Sequence, residues 1–175
     1  METTTQNQPT ITATALRYGL LLGLISIVFW FVLIATNQVG NSLLGLVPVL
    51  LFIVIIVLAQ RDFRTRNGGF MSYGEGVGIG ALVSLISGVL SGIFNFVYRL
   101  IDPSVTAQAM EQARAKMEEA GTMSDAQIDQ AIAMSQKFST GPLGFVLGIV
   151  FAVIMGTILS LIISAILKNA KPEFD

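Results

Sequence analysis

Charged residues mark off the apolar stretches of this chain. No Asp, Glu, Lys or Arg stands between Arg17 and Arg61, between Glu75 and Arg99, or between Lys137 and Lys168. A helix needs about 20 mostly apolar residues to cross a bilayer. The second and third gaps each hold one such span. The first gap, 43 residues long, holds two spans joined by the polar, glycine-bearing turn Thr36-Asn37-Gln38-Val39-Gly40-Asn41-Ser42. The spans are read as 16–35, 43–59, 74–98 and 143–167. They are continuously apolar rather than alternating, so they predict helices and not barrel strands. Pro48 falls inside the second span, where a missing backbone donor predicts a kink. The first span is too long for the apolar core of a signal peptide, and Ile34-Ala35-Thr36-Asn37 is a poor cleavage site, so it reads as a retained span.

The polar segment between spans 3 and 4 predicts a helical hairpin over about 103–139. Asp102-Pro103-Ser104 starts the first helix, with proline suited to a first turn. The run to Ala120 is rich in good helix formers, and Gly121 reads as its C-cap. Ser124 and Gln127 form a capping-box pattern that opens the second helix. Met110, Ala113 and Met117 share one face of the first helix. Ile128, Ile132, Ser135 and Phe138 share one of the second, beside Ala131. Two short amphipathic helices joined by so few residues pack on each other, on the membrane surface or on a partner.

Small residues recur every fourth position in the spans. Gly76, Gly80, Ser84, Gly88 and Gly92 do so in span 3, and Gly144, Gly148, Ala152, Gly156, Ser160 and Ser164 in span 4. Ala15, Gly19 and Gly23 make a shorter ribbon in span 1. Such spacing lets helix backbones approach closely in lipid. Four residues overshoot a 3.6-residue turn by about 40°, so each ribbon serves two neighbours or a right-handed crossing. Spans 3 and 4 are the expected close pair.

Orientation follows Lys and Arg near the span ends. One side carries Arg17, Arg61, Arg64, Arg66, Lys168 and Lys171. The other has no basic residue in its first loop, and in its second loop Arg99, Arg114, Lys116 and Lys137 are offset by six acidic residues. Both termini are therefore expected in the cytoplasm and the hairpin outside. Arg61, Arg64 and Arg66 serve as the topology signal, and could also grip lipid headgroups.

Composition narrows the chemistry. Of the 175 residues 53% are hydrophobic and 12% charged, against about 25% charged in soluble domains. Net charge is −1, which speaks against a nucleic-acid partner. The absence of Cys and His excludes disulfides, thiol chemistry, the usual zinc sites and His-based triads. The spans carry no mid-membrane charge, which argues against proton- or ion-coupled transport. Glu75 reads as a first-turn carboxylate at the mouth of span 3, with an ion or partner contact as the alternative. Asn95, the most polar residue inside a span, reads as a bridge between two helices. Ser84, Ser87 and Ser91 read as packing residues without a base. Gly74-Glu75-Gly76-Val77-Gly78 lacks the strand and spacing of a nucleotide loop. Met110, Met117, Met123 and Met134 are gap-fillers rather than a copper cluster.

The stretch Asn67-Gly68-Gly69-Phe70-Met71-Ser72-Tyr73-Gly74-Glu75-Gly76, leading into Ser84-Leu85-Ile86-Ser87-Gly88, resembles a known family. So do Asn95-Phe96-Val97-Tyr98 with Ile101-Asp102-Pro103, the Met/Glu/Gln-rich hairpin, and Lys171-Pro172-Glu173-Phe174. The family is one of small bacterial membrane proteins common in Bacteroidota, known as domain of unknown function 4199, and the resemblance covers nearly the whole chain. It implies an inner-membrane location and, in a Gram-negative cell, a periplasmic hairpin. It brings no activity, cofactor or catalytic residue.

The expectation is one all-α membrane domain over 1–175: a bundle of four transmembrane helices with an extramembrane two-helix hairpin between spans 3 and 4. It is expected to be no enzyme and to hold no cofactor or metal. Its expected partners are the lipid bilayer and either a second copy or another membrane protein, met through the small-residue faces and the hairpin. The alternative is a small channel or transporter subunit for an uncharged or lipid-like solute.

Overall fold

A computed structural model describes residues 9–39, 41, 43–139 and 141–171. Gly40 and Ser42 of the anticipated turn, and Pro172, Glu173 and Phe174 of the C-terminal motif, lie outside the described residues. The elements are α1 (Ile11–Ala35), a 3-10 turn (Leu44–Leu46), α2 (Val47–Arg66), α3 (Tyr73–Ile101), α4 (Ser104–Ala120), α5 (Asp125–Ser139) and α6 (Gly141–Leu167). Four of them, α1, α2 with its preceding 3-10 turn, α3 and α6, are long and apolar enough to cross a membrane. Among the described residues the β pairing is a single bridge between Met71 and Asn169.

Local chemistry sets the helix ends. The Thr10 side chain accepts from the Ala13 N–H at 3.1 Å, so α1 starts five residues before the apolar run alone suggests. Pro48 sits in the first turn of α2, where its missing N–H would have had no partner within the helix. The expected mid-span kink is thereby corrected to a helix start. Ser72 and Glu75 form a reciprocal cap on α3: the Glu75 N–H donates to Ser72 Oγ at 3.3 Å and the Ser72 N–H to Glu75 Oε2 at 2.7 Å. Glu75 therefore has a structural task. Gly121, in the left-handed region (φ 62°), ends α4.

The four long helices alternate in direction, so one end of the bundle carries Arg61, Arg64 and Arg66 and the other the α4–α5 hairpin. These ends are the arginine end and the hairpin end. Helix α3 is central, with α1 on one side, α6 on another, and α2 laid across all three. The core of Leu22, Ile55, Ile56, Ala59, Phe63, Met71, Ile79 and Val83 lies toward the arginine end. In α2 burial begins at Ile55, whereas Val49, Leu50 and Val54 before it are exposed. The outward faces are apolar, with Val28 63%, Phe151 66% and Ile166 76% exposed. So much exposed hydrocarbon suits a bilayer and not water.

At the arginine end the loop after α2 is clipped to the exit of α6. The Met71 N–H donates to the Asn169 carbonyl and the Asn169 N–H to the Met71 carbonyl, both at 2.8 Å. The Asn169 side chain donates to the Gly69 carbonyl at 2.9 Å, and Arg64 caps α6 by donating to the Leu167 carbonyl at 3.1 Å. At the hairpin end Ile128 is buried, and Arg114 joins α4 to α5 through an ion pair with Asp129 (2.8 Å) while pairing with Glu118 of its own helix (2.9 Å). Both carboxylates raise the Arg114 pKa, so it stays charged.

Candidate functional site

The two longest small-residue ribbons meet each other. Gly76 faces Ser164, Gly80 faces Ser160, Ser84 faces Gly156 and Gly88 faces Ala152. Each step moves four residues up α3 and four down α6, so the chains run antiparallel in a constant register. These four consecutive members of the α3 ribbon follow one neighbour and are not divided between two. A Cβ on Gly76 would stand 2.5 Å from Ser164 Oγ and 2.9 Å from its Cβ. On Gly80 it would run into Ser160 Oγ and Cβ, and on Gly156 it would stand 2.7 Å from Phe52 Cε1. Glycine is required at these points by approach alone. Gly19 and Gly23 of the span-1 ribbon pack on Ile86 and Leu90, so α1 occupies another face of α3.

A buried polar knot locks the seam. Gln60, fully buried on α2, points its Nε2 at the Gly76 carbonyl (3.0 Å), Ser160 Oγ (3.0 Å) and Ser164 Oγ (2.9 Å). Ser160 Oγ donates to the same Gly76 carbonyl at 3.0 Å. One side chain thus ties α2, α3 and α6 together. Its Oε1 is buried without a protein partner. Gln60 does not stand out in the sequence because it precedes Arg61 and looks like the edge of the membrane. The available signal is its spacing: it falls one position after Ala59 and three before Phe63, on the face that buries Ile56.

Beyond Gly88 and Ala152 the seam opens. Gly88 lies 3.3 Å, by its would-be Cβ, from Ala152, but a Cβ on Gly148 would have nothing within 4 Å. Gly148 is therefore not a packing residue here, contrary to its place in the ribbon. Phe145 takes over the contact, with its ring 2.9 Å from a Cβ on Gly92 and its centroid 6.2 Å from that of Phe96. On another side α3 stays bound to α1 through Trp30, whose ring meets Tyr98 (4.9 Å) and Phe94 (5.8 Å) edge-on. So α3 keeps α1 on one side, on the other it meets Phe145 and Ile149 of α6 at Gly92, and a gap remains that α3, α6 and the hairpin line together.

The result is a cavity of about 880 Å³, near the upper end of the usual range for small-molecule sites, about 300–1,000 Å³. Gly88, Gly92, Gly144, Gly148 and Ala152 give it room, and Phe96, Phe145 and Ile149 give it apolar walls. Ser91, Asn95, Arg99, Thr106 and Gln136 bring polar groups to it. Among the described residues that line it Arg99 is the one charged group. Asn95 donates to the Ser91 carbonyl of its own helix at 3.2 Å, so in place of the expected bridge between helices it presents a half-buried amide to the cavity. Five of the expected packing residues, Gly88, Gly92, Gly144, Gly148 and Ala152, line this space, whereas Glu75, Arg61, Arg64 and Arg66 stand at the opposite end. Arg66 pairs with Asp62 at 3.0 Å.

Comparison with known proteins agrees with the resemblance. The model of a family described as "Protein of unknown function (DUF4199)" matches residues 17–169. No curated protein and no solved structure matches the chain.

Proposed function

The chain belongs to the DUF4199 family, and from that premise we propose a non-enzymatic, multi-pass inner-membrane protein that receives a lipid-like molecule in the cavity beneath its hairpin. Both termini lie in the cytoplasm and the hairpin in the periplasm, a placement supported by the basic residues gathered at the arginine end. The observation that carries the reading is the space of about 880 Å³ that α3, α6 and the hairpin line between apolar walls, with Gly148 facing into the open. Toward the arginine end the Gly80–Ser160 and Gly76–Ser164 contacts and the Gln60 knot close the seam. This arrangement favours a receiving site over an open pore.

Gly148 supplies the test. It lines the cavity and has open space around its would-be Cβ, so Gly148→Phe fills the site without touching the seam. Wild-type protein purified in mild detergent should carry a lipid-like molecule through native mass spectrometry. Gly148→Phe should lose it while unfolding at the same temperature. Equal retention by the two proteins contradicts the proposal.

A second reading, assembly with another copy or a membrane partner, is favoured by Met123, Met134 and Phe138, which the hairpin leaves about half exposed. Removal of residues 104–139 should then abolish a cross-linked partner. The small-residue faces give it less support, because α3 spends its ribbon on α6 within the same chain.

A further inference from the structure

We infer that the molecule held in this cavity is an uncharged lipid with a free hydroxyl, seated at Ser91 and Asn95 with its chain packed along Gly88, Gly92 and Gly148. The inference rests on the cavity reading and adds the chemistry of the head and its depth in the membrane.

Two polar side chains of α3 keep unused hydrogen-bonding capacity at the cavity. Ser91 and Asn95 stand four residues apart, so they share a helix face, and both line the space. The Asn95 amide nitrogen donates back to the Ser91 carbonyl at 3.2 Å, which settles which end of the amide is nitrogen. Its oxygen then accepts from no group among the described residues, and the Ser91 hydroxyl has no hydrogen-bond partner among them either. Further along the same helix the pattern differs: Ser84 and Ser87 spend their hydroxyls on the Gly80 and Ser84 carbonyls. An amide oxygen only accepts, whereas a hydroxyl both donates and accepts. One ligand hydroxyl can therefore donate to Asn95 Oδ1 and accept from Ser91 Oγ.

Depth selects against a charged head. Glu75 and Arg99 bound the uncharged run of α3, and Gly88 stands near its middle. At 1.5 Å per residue Ser91 lies about 5 Å and Asn95 about 10 Å beyond Gly88. Both fall inside one half of a hydrocarbon core about 30 Å thick. An unpaired polar group is costly there, and an ionised headgroup costs more. The charges at the mouth do not alter this, because Arg99 already has a partner within the protein and the Asp102 carboxylate stands three residues on. The walls of Phe96, Phe145 and Ile149 suit an apolar chain attached to the hydroxyl, where water alone would find few partners.

The full chain in mild detergent is offered oleyl alcohol and its methyl ether, which accepts a hydrogen bond but cannot donate one, and bound molecules are counted by native mass spectrometry. Wild-type protein should hold the alcohol about threefold more tightly than the ether, from one hydrogen bond donated inside a membrane protein. Asn95→Leu should bring that ratio to about one while still holding either probe. Ser91→Ala should weaken alcohol and ether alike, because both accept. Gly148→Phe should hold neither. Equal binding of alcohol and ether by wild type, with both lost in Gly148→Phe, overturns the hydroxyl seat and leaves the cavity reading intact. A preference that survives in Asn95→Leu also overturns the seat, and oleate held more tightly than the alcohol overturns the uncharged head. Retention of both probes that is identical in wild type and Gly148→Phe overturns the inference and the cavity reading together.

Discussion

Gly80→Ala tests the seam that shapes the whole bundle. The added Cβ would run into both Oγ and Cβ of Ser160, a residue with no exposed surface. Rotation of the hydroxyl cannot relieve the clash with Cβ, so α3 and α6 must move apart. Overpacking of this kind costs about 1–3 kcal/mol, and alanine returns up to about 1 kcal/mol of helix propensity. The net loss is about 1–2 kcal/mol, or five- to thirtyfold in the folded ratio. Gly148→Ala, in the facing ribbon, meets nothing within 4 Å and should be neutral or stabilising by up to about 1 kcal/mol. Titration with SDS in mixed micelles, followed by circular dichroism, gives both values. Ser160→Gly adds a cross-check. It removes the atoms that the new methyl group would strike, so the Gly80→Ala/Ser160→Gly pair should show favourable coupling of about 1 kcal/mol or more. Equal losses at positions 80 and 148, or an additive double mutant, would refute the close-approach argument.

Gln60→Ala removes the two hydrogens that serve Gly76, Ser160 and Ser164. At about 0.6 kcal/mol, and at most about 1.7, per bond in a membrane, together with the void left behind, SDS unfolding should report a loss of about 2–3 kcal/mol. Gly69 holds φ 87°, so Gly69→Ala should lose about 1–2 kcal/mol in the same titration while Gly74→Ala loses almost nothing. The chain lacks cysteine, so a single cysteine introduced at exposed Asp125 should react with an impermeant maleimide on intact spheroplasts, and one at exposed Thr65 only after lysis. The reverse pattern would invert the proposed orientation.

Much of this architecture is legible in the sequence because charge and periodicity are local. Gaps between charged residues place the four spans, and Thr10, Ser72 and Gly121 then shift or set helix ends by hydrogen bonds that the apolar pattern does not carry. The four-residue ribbons announce that α3 and α6 approach closely. They do not say how far the contact runs. Gly148 has the same spacing as Gly156, yet one faces open space and the other Ser84 and Phe52. The difference depends on Phe145 wedging against Gly92, and on α1 holding α3 through Trp30 and Tyr98, contacts between residues more than 50 positions apart. Gln60 is hidden for a related reason. Its burial arises because α2 continues past the charge at Arg61 and is clipped through Met71 to Asn169. Pro48 misleads in the other direction, because a proline in an apolar run signals a kink unless the helix begins there.

The central claim is that a lipid occupies the space between α3, α6 and the hairpin. Cross-linking with a long-chain alcohol that carries a photoreactive group at the end of its chain tests it most directly. Adducts mapped by peptide sequencing should concentrate on Gly88, Gly92, Phe145 and Ile149 and fall sharply in Gly148→Phe. Adducts spread over the outward faces at Leu24, Val28 and Ile162, in equal amounts in both proteins, would contradict it.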